Sequence, residues 1–116
     1  MQANLSEARN NLKNKLLANA CVVISEIQKA NLNNLIEIGL FGSLACNTFT
    51  CNSDADIYLV FDGSIPDRTV KGMLRSIAEE NNCDIVFINS SSLYQDNPDL
   101  LAAEILKNRI ILWRKC

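Results

Sequence analysis

The stretch that most limits what this chain can become is FGSLACNTFTCNSDADIYLVFDG, residues 41–63. An apolar run ends at Phe41, the pair Gly42-Ser43 follows, and after ten intervening residues Asp54 and Asp56 open a second apolar run. Residues i and i+2 of a β-strand share a face. The spacing predicts two carboxylates projecting together at the head of a strand, about 6–7 Å apart by strand rise. Such a pair of hard oxygen ligands suits Mg²⁺, which takes one or two protein carboxylates and fills its shell with water and substrate phosphate. Gly42 lets backbone N–H groups approach a phosphate closely, and Ser43 adds a hydroxyl donor. The expected unit is a phosphate cradle facing a metal clamp.

The remaining sequence reads as a scaffold for that unit. Residues 3–31 form an amphipathic helix pattern, with Leu5, Ala8, Leu12, Leu16, Ala20, Val23 and Ile27 on one stripe. Its many asparagines lower intrinsic helix propensity, so packing against one sheet face is expected to hold it. Leu35–Phe41 reads as a first strand, and residues 43–47 as a short helix whose N-terminus faces the phosphate. Residues 54–62 read as a second, central strand, near-continuously apolar after Asp56. Tyr58 and Val60 continue the carboxylate face, and Ile57, Leu59 and Phe61 take the other. A helix capped by Asp67 runs to about Glu80, burying Val70, Leu74, Ile77 and Ala78, and Asn81-Asn82 ends it. Cys83–Ile88 is a third strand with Asp84 near its start. A polar connection with one helical turn, a helix over residues 99–107 and a strand over residues 109–113 complete the chain. This order predicts one α+β domain over residues 1–116.

Composition excludes several function classes. A net charge of −2 gives no basic footprint for nucleic acid. No apolar run approaches the ~20 residues that span a membrane, and MQANLSEARNN lacks the basic and apolar regions of a signal peptide. A cytoplasmic protein is expected. Cys21, Cys46, Cys51, Cys83 and Cys116 are odd in number and fit no zinc spacing, and the absence of histidine removes Ser-His-Asp and Cys-His catalysis. Five free thiols are the expectation in a reducing compartment.

Gly-Ser, ten residues, then Asp-x-Asp at the head of an apolar strand resembles the signature of the minimal nucleotidyltransferases, small proteins built on the palm-like core of DNA polymerase β. The resemblance is close over residues 41–63 and looser to about residue 88 and the last strand. It implies a nucleotidyltransferase fold, a small mixed sheet of about four strands with helices packed on it. It further implies metal-dependent transfer of AMP, or another nucleoside monophosphate, from ATP or another NTP to a hydroxyl. Gly42 and Ser43 would bind the nucleotide. Asp54, Asp56 and Asp84 would be catalytic and hold Mg²⁺ in a two-metal site. Stand-alone members of that family often pair with a small all-helical HEPN-type partner, so an antitoxin role and a hetero-oligomer are implied.

The chain departs from the pattern in one place. Family members often read Gly-Ser-x-Ala-Arg-Gly, whereas here Cys46 and Asn47 replace Arg and Gly, and Leu44 stands where Arg is frequent. Each cation lost beside a triphosphate removes charge-assisted hydrogen bonds of ~1.5–3 kcal/mol. Lys71, Arg75 or an arginine of a partner are the candidate replacements. Two rival readings follow: a protein that keeps the fold and neutralises its partner by binding alone, and a small-molecule enzyme of the aminoglycoside-modifying kind.

Overall fold

A computed structural model describes residues 2–115, with side chains from Ser6 to Lys115. The elements run α1 (Gln2–Lys29), β1 (Leu35–Phe41), α2 (Gly42–Ala45), β2 (Ala55–Phe61), α3 (Arg68–Glu80), β3 (Cys83–Asn89), α4 (Ser90–Leu93), α5 (Leu100–Asn108) and β4 (Ile110–Arg114). Each predicted helix and strand is present with its ends shifted by a residue or two. The ends have local causes. Asp67 accepts the Val70 N–H at 2.9 Å and Asp99 accepts the Ala102 N–H at 2.8 Å, so each caps the helix that follows. Asn31 and Asn82 take positive φ (53° and 55°), the left-handed conformation asparagine tolerates just beyond a helix.

The four strands form one mixed sheet in the order β3-β2-β1-β4. β1 is antiparallel to both β2 and β4, while β2 and β3 are parallel with α3 as their crossover. Side-chain alternation then separates two cores. On one face Ile57, Leu59 and Phe61 meet Leu16, Ala20, Val23 and Ile27 of α1 and Leu74 and Ala78 of α3. On the other, Tyr58, Val60 and Ile88 meet Leu93 of α4 and Ala102 and Ile105 of α5. The predicted stripe of α1 packs only from Leu12 onward; Ala8 is exposed, and the Leu5 side chain lies outside the described residues. The first turns of α1 overhang the sheet. That accounts for a 52 Å long axis and a radius of gyration of 14.9 Å, against about 13 Å for a compact chain of this length.

A polar cluster inside the second core was not foreseen. Glu37 on β1 is only 2% exposed and is the one buried charged residue among the described residues. The Tyr58 hydroxyl donates to it at 2.6 Å, Tyr94 donates as well, and Arg109 and Arg114 form ion pairs at 3.1 and 3.0 Å. Burial pushes the Glu37 carboxyl up, but the bonds from Tyr58, Tyr94 and Arg114 and the charge of Arg109 outweigh it and hold it below the usual carboxylate range. Gly39 makes the arrangement possible. A Cβ there would sit 2.5 Å from both the Tyr58 hydroxyl and the Ile110 carbonyl, so only glycine lets the tyrosine lie across β1.

Among the described residues no helix is long and apolar enough to cross a membrane. Cys21, Cys46, Cys51 and Cys83 are free thiols; Cys116 lies outside the described residues.

The Glu37 cluster is expected to carry a measurable share of the stability. Glu37→Ala strands the buried Tyr58 hydroxyl, a loss of about 1–3 kcal/mol from that group alone. Tyr58→Phe, which leaves Glu37 its other partners, is expected to cost about 1 kcal/mol. Urea denaturation of the two variants checks the ranking; an equal or reversed order would show that Glu37 is not the hub.

Candidate active site

The site lies where β1 ends and β2 and β3 begin. The β2–β3 ladder is in parallel register with Asp56 opposite Asp84 and Ala55 opposite Cys83. Parallel neighbours in register point to the same face, so the two aspartates are brought together across strands rather than along one. Across the other ladder Asp56 pairs with Phe41, which places the Gly42-Ser43 turn beside it. Gly42 has φ +71°, and a Cβ at this position would collide with the Asp56 carboxylate. Two physical demands therefore coincide on Gly42: a left-handed backbone and room for the aspartate.

Asp54 lies one residue before the strand, and its charge acts on Asp56 together with that of Asp84. It precedes β2, is exposed, and lines a cavity of about 210 Å³ between α1 and the loop that leads into the strand. Strand alternation joined Asp54 to Asp56 in the sequence, but the regular strand begins only at Ala55. The described residues hold no group of three or more His, Cys, Asp or Glu arranged to hold a metal ion. What the fold brings together is a pair, with Asp54 at its border.

The electrostatics fit that geometry. Burial, then the charge of Asp84, with Asp54 and Glu104 adding to it, pushes the Asp56 carboxyl up from 3.8 to about 6. Glu104, on α5, was not singled out by its sequence context because nothing in its spacing ties it to the motif. Burial, with the charges of Asp54, Asp84 and Asp56 adding to it, drives the neighbouring Cys83 thiol up to about 11, which makes it a poor nucleophile. Asp56 with the carboxylates of Asp84 and Asp54 beside it offers hard oxygen donors, the kind a hard divalent cation takes, so the residues present fit Mg²⁺.

The loop between the two halves of the motif is held by a residue assigned only to the helix. Arg9 of α1 donates to the Phe49 carbonyl at 3.1 Å and the Asn47 carbonyl at 2.6 Å, and its guanidinium lies 4.2 Å from the centre of the buried Phe49 ring. Cys46, at the position where an arginine is usual, turns its thiol back to the Gly42 carbonyl at 2.8 Å. Of the cations expected to compensate, Arg75 packs over the Phe87 ring at 5.1 Å and borders a small cavity with Asp84; Lys71 is half-buried on α3.

A pH dependence follows with a defined sign. Because the Asp56 pKa is raised on folding, its contribution is most favourable below about pH 4 and is lost as pH rises through about 6. Glu37, with a lowered pKa, acts in the opposite sense only below its ordinary value of 4.5, and the chain has no histidine. The melting temperature of the metal-free protein is therefore expected to fall between pH 5 and 7, and Asp56→Asn to flatten that slope. Thermal melts of both proteins across this window test it; identical slopes would mean that Asp56 titrates normally.

Comparison with known proteins agrees with this architecture. The family described as "Polymerase beta, Nucleotidyltransferase" matches residues 22–115. No curated protein sequence matches. A candidate nucleotidyltransferase from Sulfolobus solfataricus superposes with a TM-score of 0.62 at 22% identity, covering 92% of this chain and 87% of that one. A chain of a toxin–antitoxin structure with AMP-PNP gives 0.58 at 23% identity over 80% and 72% of the two chains. A chain from the complex of a tri-AMPylated Shewanella oneidensis HEPN toxin with its MNT antitoxin gives 0.52 at 18% over 92% and 73%. These likenesses are of fold. With the family matched over most of the chain and the Gly-Ser turn set against Asp56 and Asp84, the protein belongs to the polymerase β nucleotidyltransferase family.

Proposed function

We propose that this chain transfers AMP, or another nucleoside monophosphate, from an NTP to a hydroxyl of a helical HEPN-type partner, as the antitoxin of a pair. The observation that carries the reading is the register of Asp56 with Asp84 beside the Gly42-Ser43 turn. The printed descriptions of the similar structures, one with AMP-PNP and one with an AMPylated HEPN toxin, support the nucleotide and the partner class.

In this reading Gly42 and Ser43 receive the phosphates through backbone N–H groups and the serine hydroxyl. Asp56 and Asp84, with Asp54 at the border, would hold Mg²⁺, which offsets charge on the α-phosphate and the leaving pyrophosphate. Asp84, exposed at the start of β3, would accept the proton of the attacking hydroxyl. The hydroxyl oxygen forms a bond to the α-phosphorus, and the bond to pyrophosphate breaks. Positioning of the triphosphate in line with the acceptor supplies the rest.

A second reading, neutralisation by binding alone, draws on one observation: Cys46 is turned back on Gly42, so α2 offers the triphosphate no cation. Labelled AMP transfer from ATP onto a co-purified helical partner separates the two. The double variant Asp54→Asn, Asp56→Asn is expected to abolish the Mg²⁺-dependent rise in melting temperature caused by ATP. Asp84→Asn is expected to retain that rise and lose transfer by about 10²–10⁴-fold, the size of general-base help. Absence of transfer by the unaltered protein, with the partner still bound, would establish the binding-only reading.

A further inference from the structure

One edge of the sheet takes no part in the acidic site. β4 ends the order β3-β2-β1-β4, so among the described residues backbone N–H and C=O groups on the outer side of Ile110–Arg114 have no strand to pair with. Ile110 lies opposite Leu40 and Ile111 opposite Gly39, which puts them on opposite faces of the sheet. Both are exposed, by 42% and 40%, and Leu112, which the register skips, is exposed by 44%. Neither helical layer covers this strand. Beside it, Trp113 lines a cavity of about 220 Å³ with Ile27, Leu32 and Leu35, and Gln28 and Asn31 add polar groups.

The charges around β4 select among occupants. Residues 107–115 hold Lys107, Arg109, Arg114 and Lys115 and no acidic residue, in a chain whose net charge is −2. Glu37 is a single carboxylate for two guanidiniums, and Lys107 and Lys115 form no ion pair among the described residues. Two copies of β4 paired antiparallel about their apolar centre would set Arg109 opposite Arg114, and like charges directly opposite destabilise such a pair. That disfavours a second copy of this chain and favours a strand with acidic ends.

We propose that β4 is a docking edge for an extended segment of a protein partner, apolar at its centre and acidic at both ends, which adds to the sheet as a fifth strand. Main-chain hydrogen bonds along the edge supply affinity, and alternate side chains supply specificity. On the α1 face, an apolar side chain of the added strand lies beside Trp113 and its cavity. The acidic ends meet Lys107 and Arg109 before β4 and Arg114 and Lys115 at its close. β1 separates this edge from the strand that carries Asp56, so the docking does not rest on nucleotide transfer.

Trp113 is the only tryptophan of the chain, so its emission reports on this edge. The full chain is titrated with two synthetic peptides that share the core Val-Thr-Phe-Thr-Val, one with two glutamates at each end and one with two lysines. The glutamate-flanked peptide is expected to shift the emission to shorter wavelength, saturably, and to bind about tenfold more tightly than the lysine-flanked one. Hydrogen exchange is expected to slow at β4 amides on binding. The double variant Lys107→Glu, Lys115→Glu, with melting curves to confirm its fold, is expected to reverse the preference between the peptides. Equal affinity for the two peptides, or binding of neither, would overturn the proposal. Binding that leaves β4 exchange unchanged would overturn strand addition. Concentration-dependent dimerisation that Leu112→Lys abolishes would overturn it in favour of a second copy.

Discussion

The register of the parallel β2–β3 ladder is the constraint on which this site depends. With Asp56 opposite Asp84, both carboxylates fall on the sheet face that also carries Tyr58 and Val60. A slip of one residue would turn Asp84 toward α1 and α3 and carry its apolar neighbours to the wrong face. The packing of Ile85 with the α1 and α3 side and of Ile88 with the α4 and α5 side resists such a slip, because each would exchange an apolar surrounding for the other core's shape. Core packing and the placement of the acidic pair are thus one constraint.

The charged interior of the sheet works differently at its two ends. Near the start of β2, like charges are crowded and incompletely compensated, so Asp56 takes up a proton more readily than an ordinary aspartate. Along β1, Glu37 is surrounded by two tyrosines and two arginines and stays ionised. The first is an acidic cluster without compensating charge, and the second is a satisfied polar core. Among the described residues, no buried side-chain polar atom lacks a partner. Electrostatic imbalance is therefore concentrated at the mouth of the motif, as expected where function rather than folding sets the charges.

α1 links the two concerns. From Leu12 onward its apolar stripe covers the sheet, while Arg9 holds the loop that joins the Gly-Ser turn to Asp54. The loop's own sequence, Thr48 to Ser53, is polar except for Phe49 and Cys51; the burial of Phe49 and a turn in which the Thr50 N–H donates to the Ser53 hydroxyl at 2.8 Å also fix its path. The helix that covers the sheet thus also fixes the loop between the two halves of the motif.

Much of this was readable in residue order because it depends on local periodicity. Alternation along β2 assigned Ile57, Leu59 and Phe61 to one face and Tyr58 and Val60 to the other, and Asp67 and Asn82 marked the ends of α3 by local backbone chemistry. Gly42, Ser43 and the three aspartates could be named from spacing within one segment and one strand start. The rest needed partners distant in sequence. Glu37 reads as an ordinary strand residue until Tyr58, Tyr94, Arg109 and Arg114 are folded around it, from separations of 21 to 77 residues. Arg9 meets Phe49 across 40 residues. Asp84, 28 residues from Asp56 in sequence, comes opposite it only through the register of the parallel ladder. Periodicity determines which face a side chain occupies; strand order and helix crossing decide what it finds there.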